Sequence, residues 1–300
     1  MKLNNTNFNF HVIRDEVWME NVLLMLQRHF NFVTISDLED FYYHGKSLKN
    51  ACHLTVDDGD ISLYTKLFPL IKKYRIPISI YVSPLTVKTG SNFWFQEIEG
   101  FNYRDFFEFC ISKANLEIDY ISKDQLYAFI KSLKINEISQ LINSYKETYK
   151  IPDKKRMSMG LDQLLELKES GLVTIGAHTM NHPILKNEDD LTARREILLS
   201  IEELRDMLHD DVKCFAYPNG IPHFDFGLRE MEILKDAKIN LAFSTEGKSF
   251  SQKDHPLSIP RRGFTKGGMP FLNSKLFLAD YWDVIKKIFK GKQEMDFRRN

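Results

Sequence analysis

Two adjacent aspartates early in the chain are the first residues whose types and spacing could do chemistry. Asp57 and Asp58 follow four residues of strand character, His53 to Val56, and Gly59 then lets the backbone turn sharply. Side chains alternate along a strand, so neighbouring aspartates can converge on one site only where the strand ends. Two close carboxylates repel each other unless a cation neutralises one of them. The stretch therefore indicates a metal bound by one aspartate beside a second that accepts a proton, although an Asp-Asp-Gly surface turn is the commoner fate of such a tripeptide.

A pair of histidines in the middle of the chain supplies further metal-binding groups. His178 and His182 have the separation of neighbours on one helical turn, or of a tight loop after a strand, and either geometry lets two imidazoles reach one ion. Pro183 biases His182 away from helical dihedral angles and favours the loop. Two histidines and one aspartate are a usual ligand set for a catalytic divalent ion with a position left open for water. The alternative interpretation is a pair of loop histidines that end a strand.

The elements that must position these residues alternate between strand and helix. The apolar pattern predicts strands over 8–13, 31–35, 52–56, 77–82, 172–177, 212–217, 240–244 and 258–262. It predicts helices over 17–29, 63–74, 161–170, 194–209 and 226–237, together with a helix that Ser36 caps. This alternation indicates an α/β fold with parallel strands, and polar residues gather at the strand ends, where such folds place their sites.

One long stretch differs in composition and periodicity from the strand and helix units around it. Residues from about 91 to 155 are rich in Phe, Tyr, Lys and Glu, with helical periodicity and few helix breakers. We interpret them as a helical insertion within a single domain over 1–300, with an N-terminal strand and helix segment over 1–50 and a helical tail over about 270–300. Aromatic residues at helical spacing indicate a packed core more often than a ligand site.

Composition and charge exclude several classes of protein. The 41 basic and 41 acidic residues cancel and form no long basic stripe, so we expect no nucleic-acid partner. The three cysteines are scattered and have neither metal nor disulfide spacing, which fits a reducing compartment. The first residues lack the apolar core of a signal peptide, and no apolar run approaches the roughly 20 residues of a membrane span. We expect a cytoplasmic protein, with the inner face of the membrane as the alternative.

The stretch 281–292 mixes apolar residues and lysines, and two interpretations of it stay open. It could rest on a membrane surface, which would suit a substrate carried on a lipid. We favour a helix packed on its own domain with its lysines in solvent. The sequence gives no indication of the oligomeric state.

Three motifs make the chain resemble the polysaccharide deacetylase family, also called the NodB homology domain or carbohydrate esterase family 4. The family motif Thr-Phe-Asp-Asp-Gly is similar to 55–59, with Val56 in place of Phe, and His-(Ser/Thr)-x-x-His-Pro is matched in full by 178–183. An aromatic strand end before Pro-x-Gly looks like 215–220. The resemblance covers about 52–264 and implies a distorted (β/α)7–8 barrel of the NodB type. The N-terminal segment and the insertion also look like a bacterial branch found with surface-polysaccharide genes.

The resemblance implies a role for each matched residue. Asp57 matches the catalytic base, and Asp58, His178 and His182 match the ligands of one divalent metal ion, with zinc favoured over cobalt, manganese or nickel. The implied reaction is removal of an N-acetyl group from an amino sugar of a surface polysaccharide or its precursor, through attack by water.

The third motif carries the residues expected around the substrate. Tyr217 and Pro218 would wall the pocket, and a backbone N–H near Asn219 would hold the oxyanion that forms during attack. A structural strand-to-loop turn is an equal alternative for Tyr217 and Pro218.

The chain departs from the family pattern in two places. The position of an arginine that braces the base in many members is Ala216 here, and no clean copy exists of the Leu-x-His motif that supplies the general acid. Arg261 or Arg262 could brace Asp57 or bind substrate, with a surface salt bridge as the alternative for at least one of them. The sequence also leaves two loop histidines, His223 and His255, as acid candidates.

Two rival functions follow from these departures. The same site could hydrolyse another linear or cyclic C–N amide, because fold does not fix substrate. A catalytically decayed glycan-binding protein is the second rival, and the missing acid motif is what motivates it.

Overall fold

The structure is a computed structural model that describes residues 3–114, 122–264, 267–277 and 294–298. Its strands are β1 (Thr6–Phe10), β2 (Asn31–Phe32), β3 (Ala51–Val56), β4 (Ile78–Val82), β5 (Val173–Ala177), β6 (Cys214–Ala216), β7 (Leu241–Phe243) and β8 (Arg262–Gly263). They form one sheet in the order β7-β6-β5-β4-β3-β1-β8, with β2 paired to β3. All of these strand pairs are parallel.

Helices surround the sheet, as the α/β pattern predicts. Before the insertion they are α1 (Glu16–His29), α2 (Ile35–Tyr43), α3 (Phe68–Tyr74) and α4 (Pro84–Thr89). The next four are α5 (Trp94–Ile98), α6 (Tyr103–Ala114), α7 (Lys123–Ile130) and α8 (Ile135–Tyr149). After them come α9 (Leu161–Glu169), α10 (Asp190–Leu208), α11 (Leu228–Asp236), α12 (Met269–Phe277) and a short helix, Glu294–Phe297.

The two edges of the sheet are joined through the segment that follows β7. Ile259 forms a parallel bridge with Phe243 at the end of β7, and β8 pairs with β1 three residues further along. The sheet with its outer helices is therefore a distorted (β/α) barrel, and the fold prediction is confirmed. Arg261 lies between the two contacts and is fully buried inside the barrel.

Several element boundaries differ from the sequence prediction for local reasons. Helix α2 begins earlier than predicted because Thr34, not Ser36, is its cap: Asp37 N donates to Thr34 Oγ1 over 3.1 Å, and Thr34 N donates to Asp37 Oδ2 over 2.8 Å. The predicted helix over 63–74 is a widened π-helical turn, Leu63–Leu67, followed by α3. Pro69 lacks the N–H that a continuous α-helix would need there.

The insertion has a hydrophobic core of its own. Helices α5 to α8 bury a cluster of aromatic and aliphatic side chains that includes Trp94, Phe106, Phe107, Ile138 and Tyr145. The barrel helices bury a separate and larger cluster against the sheet. The domain boundaries proposed from sequence stay a prediction, and the helix expected over 281–292 lies outside the described residues. Within the described part of the chain, no helix has both the length and the hydropathy to cross a bilayer.

Candidate active site at the strand ends

The sheet register brings the sequence motifs to one edge of the barrel. Phe10 pairs with Val56, so His11 and Asp57 leave β1 and β3 side by side, and Asp57 N donates to Phe10 O over 3.0 Å. Strand β5 ends at the same edge, and the residue that follows it is His178. Because parallel strands present their carboxyl ends together, residues far apart in sequence become neighbours here.

Asp58, His178 and His182 form a compact cluster at this edge. Oδ1 of Asp58 lies 3.5 Å from Nε2 of His178 and 3.6 Å from Nε2 of His182. One ligand atom from each residue lies within 4.8 Å of the other two, and all three side chains are buried. Asp58 and His182 both have positive φ, at 70° and 56°. Non-glycine residues adopt this conformation rarely, and it persists where the surrounding structure imposes it.

The chemistry of the cluster fits a divalent cation. Oδ1 of Asp58 is buried and has no hydrogen-bond partner among the described residues. Nδ1 of His178 lies 2.7 Å from Ala216 O, and a carbonyl only accepts, so Nδ1 carries the proton and Nε2 keeps its lone pair toward Asp58. Orientation of one ring nitrogen by a backbone carbonyl is the usual support for a metal-binding histidine. An unpartnered carboxylate oxygen and two imidazoles suit zinc and similar ions.

The same crowding shifts the pKa values of the three groups in different directions. Burial alone would raise the pKa of Asp58, but the close imidazole of His178 and the charges of His11 and His182 lower it well below its usual range. Burial alone would lower the pKa of His178, yet the two neighbouring aspartates raise it. For His182, burial dominates and lowers the pKa to about 3. A proton on His178 and a cation therefore compete for the same place.

A buried glutamate holds the loop that carries both histidines. Glu196, on α10, accepts hydrogen bonds from Met180 N over 3.1 Å and from Asn181 N over 2.9 Å. Its second oxygen accepts from Asn181 Nδ2 over 2.7 Å. Thr179 also accepts from His182 N within the loop, over 3.1 Å. The loop is thus fixed by Glu196 from α10 and by Thr179 within the loop. Sequence reasoning missed Glu196 because it lies in the second turn of α10 with no motif around it.

Asp57 is held by an arginine from the far end of the chain. Arg261 donates from Nη1 to Oδ1 of Asp57 over 2.7 Å and from Nη2 to Oδ2 over 2.9 Å. Two further N–H groups of Arg261 donate to Thr55 Oγ1 and Ser244 O, each over 3.0 Å. Burial alone would raise the pKa of Asp57, but Arg261 and His178 more than offset it and lower it. Arg261 itself is fully buried behind the carboxylate, in a position to brace Asp57.

His11 is a site residue that sequence reasoning did not find. Its Nε2 lies 4.0 Å from Oδ2 of Asp57, and its side chain is 52% exposed. It lines the cavity over the cluster, whereas His223 and His255 do not. Its position directly after β1 was visible in the sequence. That position indicates a site residue only when β1 is known to pair with β3.

A cavity of about 270 Å³ lies above these residues. The barrel contributes Tyr217 and Asn219 from the third motif, while Pro218 is buried and does not line the cavity. Tyr217 packs its ring on Phe226 and donates from its hydroxyl to Leu257 O over 2.8 Å, so it forms a fixed wall. The insertion contributes four more lining residues: Trp94, Phe95, Tyr127 and Lys131. The roles assigned from sequence to all of these residues stay predictions.

Comparisons with known proteins agree with this geometry. Residues 119–240 match the family model described as polysaccharide deacetylase, a range that holds both histidines and the third motif but not Asp57 and Asp58. A search of curated proteins finds no significant match.

Solved structures share the fold at low sequence identity. The Streptococcus pyogenes deacetylase PplD, solved in complex with acetate, is 15% identical with a TM-score of 0.61, covering 92% of this chain and 99% of its own. IcaB from Ammonifex degensii is 17% identical with a TM-score of 0.61, covering 99% and 97%. The BpsB deacetylase domain from Bordetella bronchiseptica is 16% identical with a TM-score of 0.57, covering 87% and 96%.

The match over 119–240 and the fold shared with solved deacetylases make this chain similar to polysaccharide deacetylases. The resemblance to this family that the motif at 178–183 predicted is confirmed over the matched residues, and the motif at 55–59 lies outside them.

Proposed function

We propose that this protein is a divalent-metal-dependent deacetylase that removes the N-acetyl group from an amino sugar of a surface polysaccharide or its precursor. The observation that carries the proposal is the buried cluster of Asp58, His178 and His182 beside an Asp57 braced by Arg261, under an open cavity. The family match and the deacetylases among the structural neighbours support the same reaction.

Asp58, His178 and His182 would hold the cation, with zinc as the proposed metal. When bound, a divalent cation supplies Lewis-acid polarisation of the acetamide carbonyl and lowers the pKa of water toward about 7. The orphaned Oδ1 of Asp58 and the lone pair on Nε2 of His178 are the groups that this ion would satisfy. Cobalt, manganese and nickel share these ligand preferences, so metal content decides among them.

Asp57 would take the proton from the attacking water. Arg261 binds both carboxylate oxygens, so the carboxylate cannot rotate, and it stays ionised because its pKa is lowered. A carboxylate with a low pKa is a weak base and can deprotonate only a water that is already acidified. Asp57, with its pKa lowered by Arg261, could therefore act as the base only beside a cation that the neighbouring cluster would hold.

His11 would donate the proton that the leaving amine needs. Its imidazole is half exposed, lines the cavity, and lies 4.0 Å from Asp57, within reach of the same substrate atoms through a small movement or one water. An acid directly after β1 would replace the Leu-x-His motif that the sequence lacks. With His11 as the acid, the missing Leu-x-His motif does not imply a catalytically decayed site.

Asn219 is suited to bind the oxyanion or a sugar hydroxyl. It lines the cavity, and its Nδ2 is buried without a hydrogen-bond partner among the described residues. Its carbonyl accepts from Thr245 Oγ1 over 2.6 Å, which fixes the backbone at a positive φ of 56°. A buried donor left unpaired in the free protein is available to a ligand, and one oxyanion donor is worth about 10²–10³ in rate.

Acetate release from N-acetylated sugars, with and without chelator, tests the proposal. We expect release that stops after chelation and returns when zinc is added back. Release that is unaffected by a chelator able to strip zinc would overturn the metal-dependent mechanism. Hydrolysis of small amides without acetate release from any N-acetylated sugar would favour the amidase function. Binding of glycans without acetate release would favour a catalytically decayed glycan-binding protein.

A further inference from the structure

The planar guanidinium of Arg261 has an edge and a face, and different groups contact each of them. N–H groups on its edge donate to Asp57, to Thr55 Oγ1 and to Ser244 O. The face of the plane carries no N–H group, so hydrogen bonds cannot hold it. Because Arg261 is fully buried, bulk water does not reach this face either. The orientation of the plane therefore depends on the side chains packed against its face.

Two aromatic rings of the barrel interior face this guanidinium. Its central carbon lies 5.6 Å from the ring centre of Tyr81, on β4, and 5.8 Å from the ring centre of Phe243, on β7. The two ring centres are 5.5 Å apart, and both side chains are fully buried. A ring within about 6 Å of a cation attracts it through its negative face, most strongly where water is excluded. We call Tyr81 and Phe243 the aromatic cradle of Arg261.

A chain of hydrogen bonds with a defined direction fixes the ring of Tyr81. Nδ1 of His53 lies 2.7 Å from Val33 O, and because a carbonyl only accepts, Nδ1 is the donor. Burial lowers the pKa of His53 to about 4, so the neutral ring leaves Nε2 to accept from Ser79 Oγ, 2.8 Å away. Ser79 Oγ has then used its proton and accepts from the Tyr81 hydroxyl over 3.0 Å. The hydroxyl is thus bound to Ser79, and the ring is the part of Tyr81 that faces Arg261.

The neighbouring strand leaves space for this ring at Gly176. Gly176, on β5, is the register partner of Tyr81 on β4. A Cβ at Gly176 would lie 2.6 Å from Cε1 of Tyr81 and 2.6 Å from Cys214 O, closer than real Cβ atoms approach other heavy atoms. Any larger residue at this position would displace the ring or the strand. The strand that leads to His178 therefore also accommodates the ring that supports the arginine.

The two faces of β4 differ in composition. Ile78, Ile80 and Val82 belong to the large cluster that the outer helices cover. Ser79 and Tyr81 alternate with them and lie on the barrel interior, where they bond to each other. Interior positions of (β/α) barrels are usually filled by branched aliphatic residues. A hydrogen-bonded tyrosine beside a buried cation indicates a role beyond filling space.

We propose that Tyr81 is a positioning residue for the reaction: together with Phe243, it keeps the guanidinium of Arg261 in the plane from which it binds both oxygens of Asp57. Bidentate pairing of an arginine with a carboxylate depends on the orientation of that plane. Without the ring the guanidinium can tilt, and Asp57 then moves away from the water that it would deprotonate. This inference rests on the proposed deacetylase function and extends it to residues behind the base.

Kinetics of two variants at one position test the role of the ring, with the trimer of N-acetylglucosamine as the probe. Tyr81→Leu should lower kcat for acetate release by about 10²-fold, the usual cost of a displacement of about 1 Å at a reacting group. KM should stay within about twofold of wild type, because binding of the sugar does not depend on the base. Tyr81→Phe keeps the ring and should recover most of kcat. Phe68→Leu, at a buried ring of the barrel core on α3, is the matched control and should leave kcat unchanged.

A double variant separates positioning from packing. In Arg261→Met there is no guanidinium to orient, so the addition of Tyr81→Leu should lower kcat no further. A role in packing alone would give the same fold loss in both backgrounds. Phe243→Leu removes the other ring of the cradle and replaces Tyr81→Leu if that variant does not fold. It should lower kcat in the wild-type background and have no added effect in Arg261→Met.

Nuclear magnetic resonance of 15N-labelled protein follows the guanidinium without any substrate. The Nη–H signals of Arg261, assigned by their loss in Arg261→Met, should be separate and sharp in wild type, because the plane cannot rotate. They should stay so in Tyr81→Phe and in Phe68→Leu. In Tyr81→Leu they should broaden or merge, because the plane is no longer held.

The outcomes distinguish this inference from the function on which it rests. A loss of kcat that Tyr81→Phe does not recover, an equal loss in the Arg261→Met background, or Arg261 signals that stay sharp in Tyr81→Leu would each overturn the positioning role and leave the deacetylase standing. If wild type releases no acetate, the proposed function fails. The Arg261 signals then still decide whether the aromatic cradle orients the guanidinium.

Discussion

The barrel edge and the helical insertion contribute to the same cavity in different ways. At the barrel edge, Asp57 is tied by two hydrogen bonds to a fully buried arginine, and His178 is oriented by a backbone carbonyl. The insertion offers partly exposed rings such as Phe95 and Tyr127, held by apolar packing. Rigid polar groups suit bond breaking, and adaptable aromatic surface suits recognition. Changes at the edge should therefore affect the rate, and changes in the insertion should affect which substrate is used.

The largest effect is expected from removing the base. Asp57→Asn should lower kcat for acetate release by about 10³-fold, within the range for general bases. It also leaves Arg261 buried without its partner, so the variant should be less stable. The double variant Asp57→Asn with Arg261→Met should regain much of that stability in urea denaturation and stay inactive. Asp236→Asn, on the exposed side of α11, is the control. Near-normal activity in the double variant would refute the role of Asp57.

Removing only the brace should affect stability and the pH profile together. Arg261→Met leaves a buried, unpaired carboxylate at Asp57, at an expected cost of about 3–5 kcal/mol in the free energy of unfolding. The pKa of Asp57 should rise, because the group that holds it down is gone. The acid limb of the kcat/KM profile should then move to higher pH. Arg194→Met provides the comparison, since Arg194 is half exposed. An unmoved acid limb would mean that Arg261 does not control the base.

Loss of the proposed acid should come next in size. His11→Gln should reduce kcat by about 10²-fold, because the leaving amine no longer receives a proton from the imidazole. His44→Gln, at an exposed histidine directly after α2, should leave kcat unchanged. A kcat close to that of wild type in His11→Gln would point to another acid.

Inside the barrel, a buried histidine should make stability depend on pH. Nδ1 of His53 lies 2.7 Å from Val33 O and Nε2 lies 2.8 Å from Ser79 Oγ, and burial lowers its pKa from the usual 6.5 to about 4. The unfolded chain therefore binds this proton first as pH falls below 6.5, and stability is lost down to about pH 4. The loss from pH 7 to pH 5 should be about 2 kcal/mol. Urea denaturation of wild type and His53→Asn at both pH values isolates this share, and equal pH dependence in the two proteins would contradict it.

The smallest effect should come from the contact between the two regions. Trp94 Nε1 donates to His182 O over 3.1 Å, which is a direct hydrogen bond from the insertion to the histidine loop. Trp94→Phe should cost about 0.5–1.5 kcal/mol of stability and weaken zinc binding by less than about tenfold. A larger loss of zinc affinity would mean that the insertion also helps to form the metal site. The barrel edge and the insertion would then not have the separate roles proposed for them.

More of the site residues could be predicted from the sequence at the barrel edge than in the insertion, for a physical reason. The residues in the first two motifs follow their strands within a few positions, so local pattern alone placed Asp57 and His178 at strand ends. Arg261 and His11 reach Asp57 only through tertiary pairing, since β1 and the segment after β7 meet β3 from opposite ends of the chain. Nothing local in the sequence could decide between bracing and substrate contact for Arg261.

The insertion shows the other limit of sequence reasoning. Helical periodicity predicted its helices and its core, and Phe106 and Phe107 are indeed fully buried. The same periodicity could not show that Phe95 and Tyr127 also face the cavity, because the opposite wall of that cavity lies on the barrel. Which aromatic residues become walls depends on how the two regions dock, and spacing within one segment does not encode that.

The central claim is that Asp58, His178 and His182 bind a single cation beside Asp57. Metal analysis by mass spectrometry after dialysis against zinc tests it most directly, with wild type, Asp58→Asn and His182→Ala compared side by side. We expect one zinc ion per chain in wild type and none in either variant, with folding checked by circular dichroism. A wild-type protein that binds no ion yet releases acetate, or folded variants that keep one ion per chain, would contradict the account.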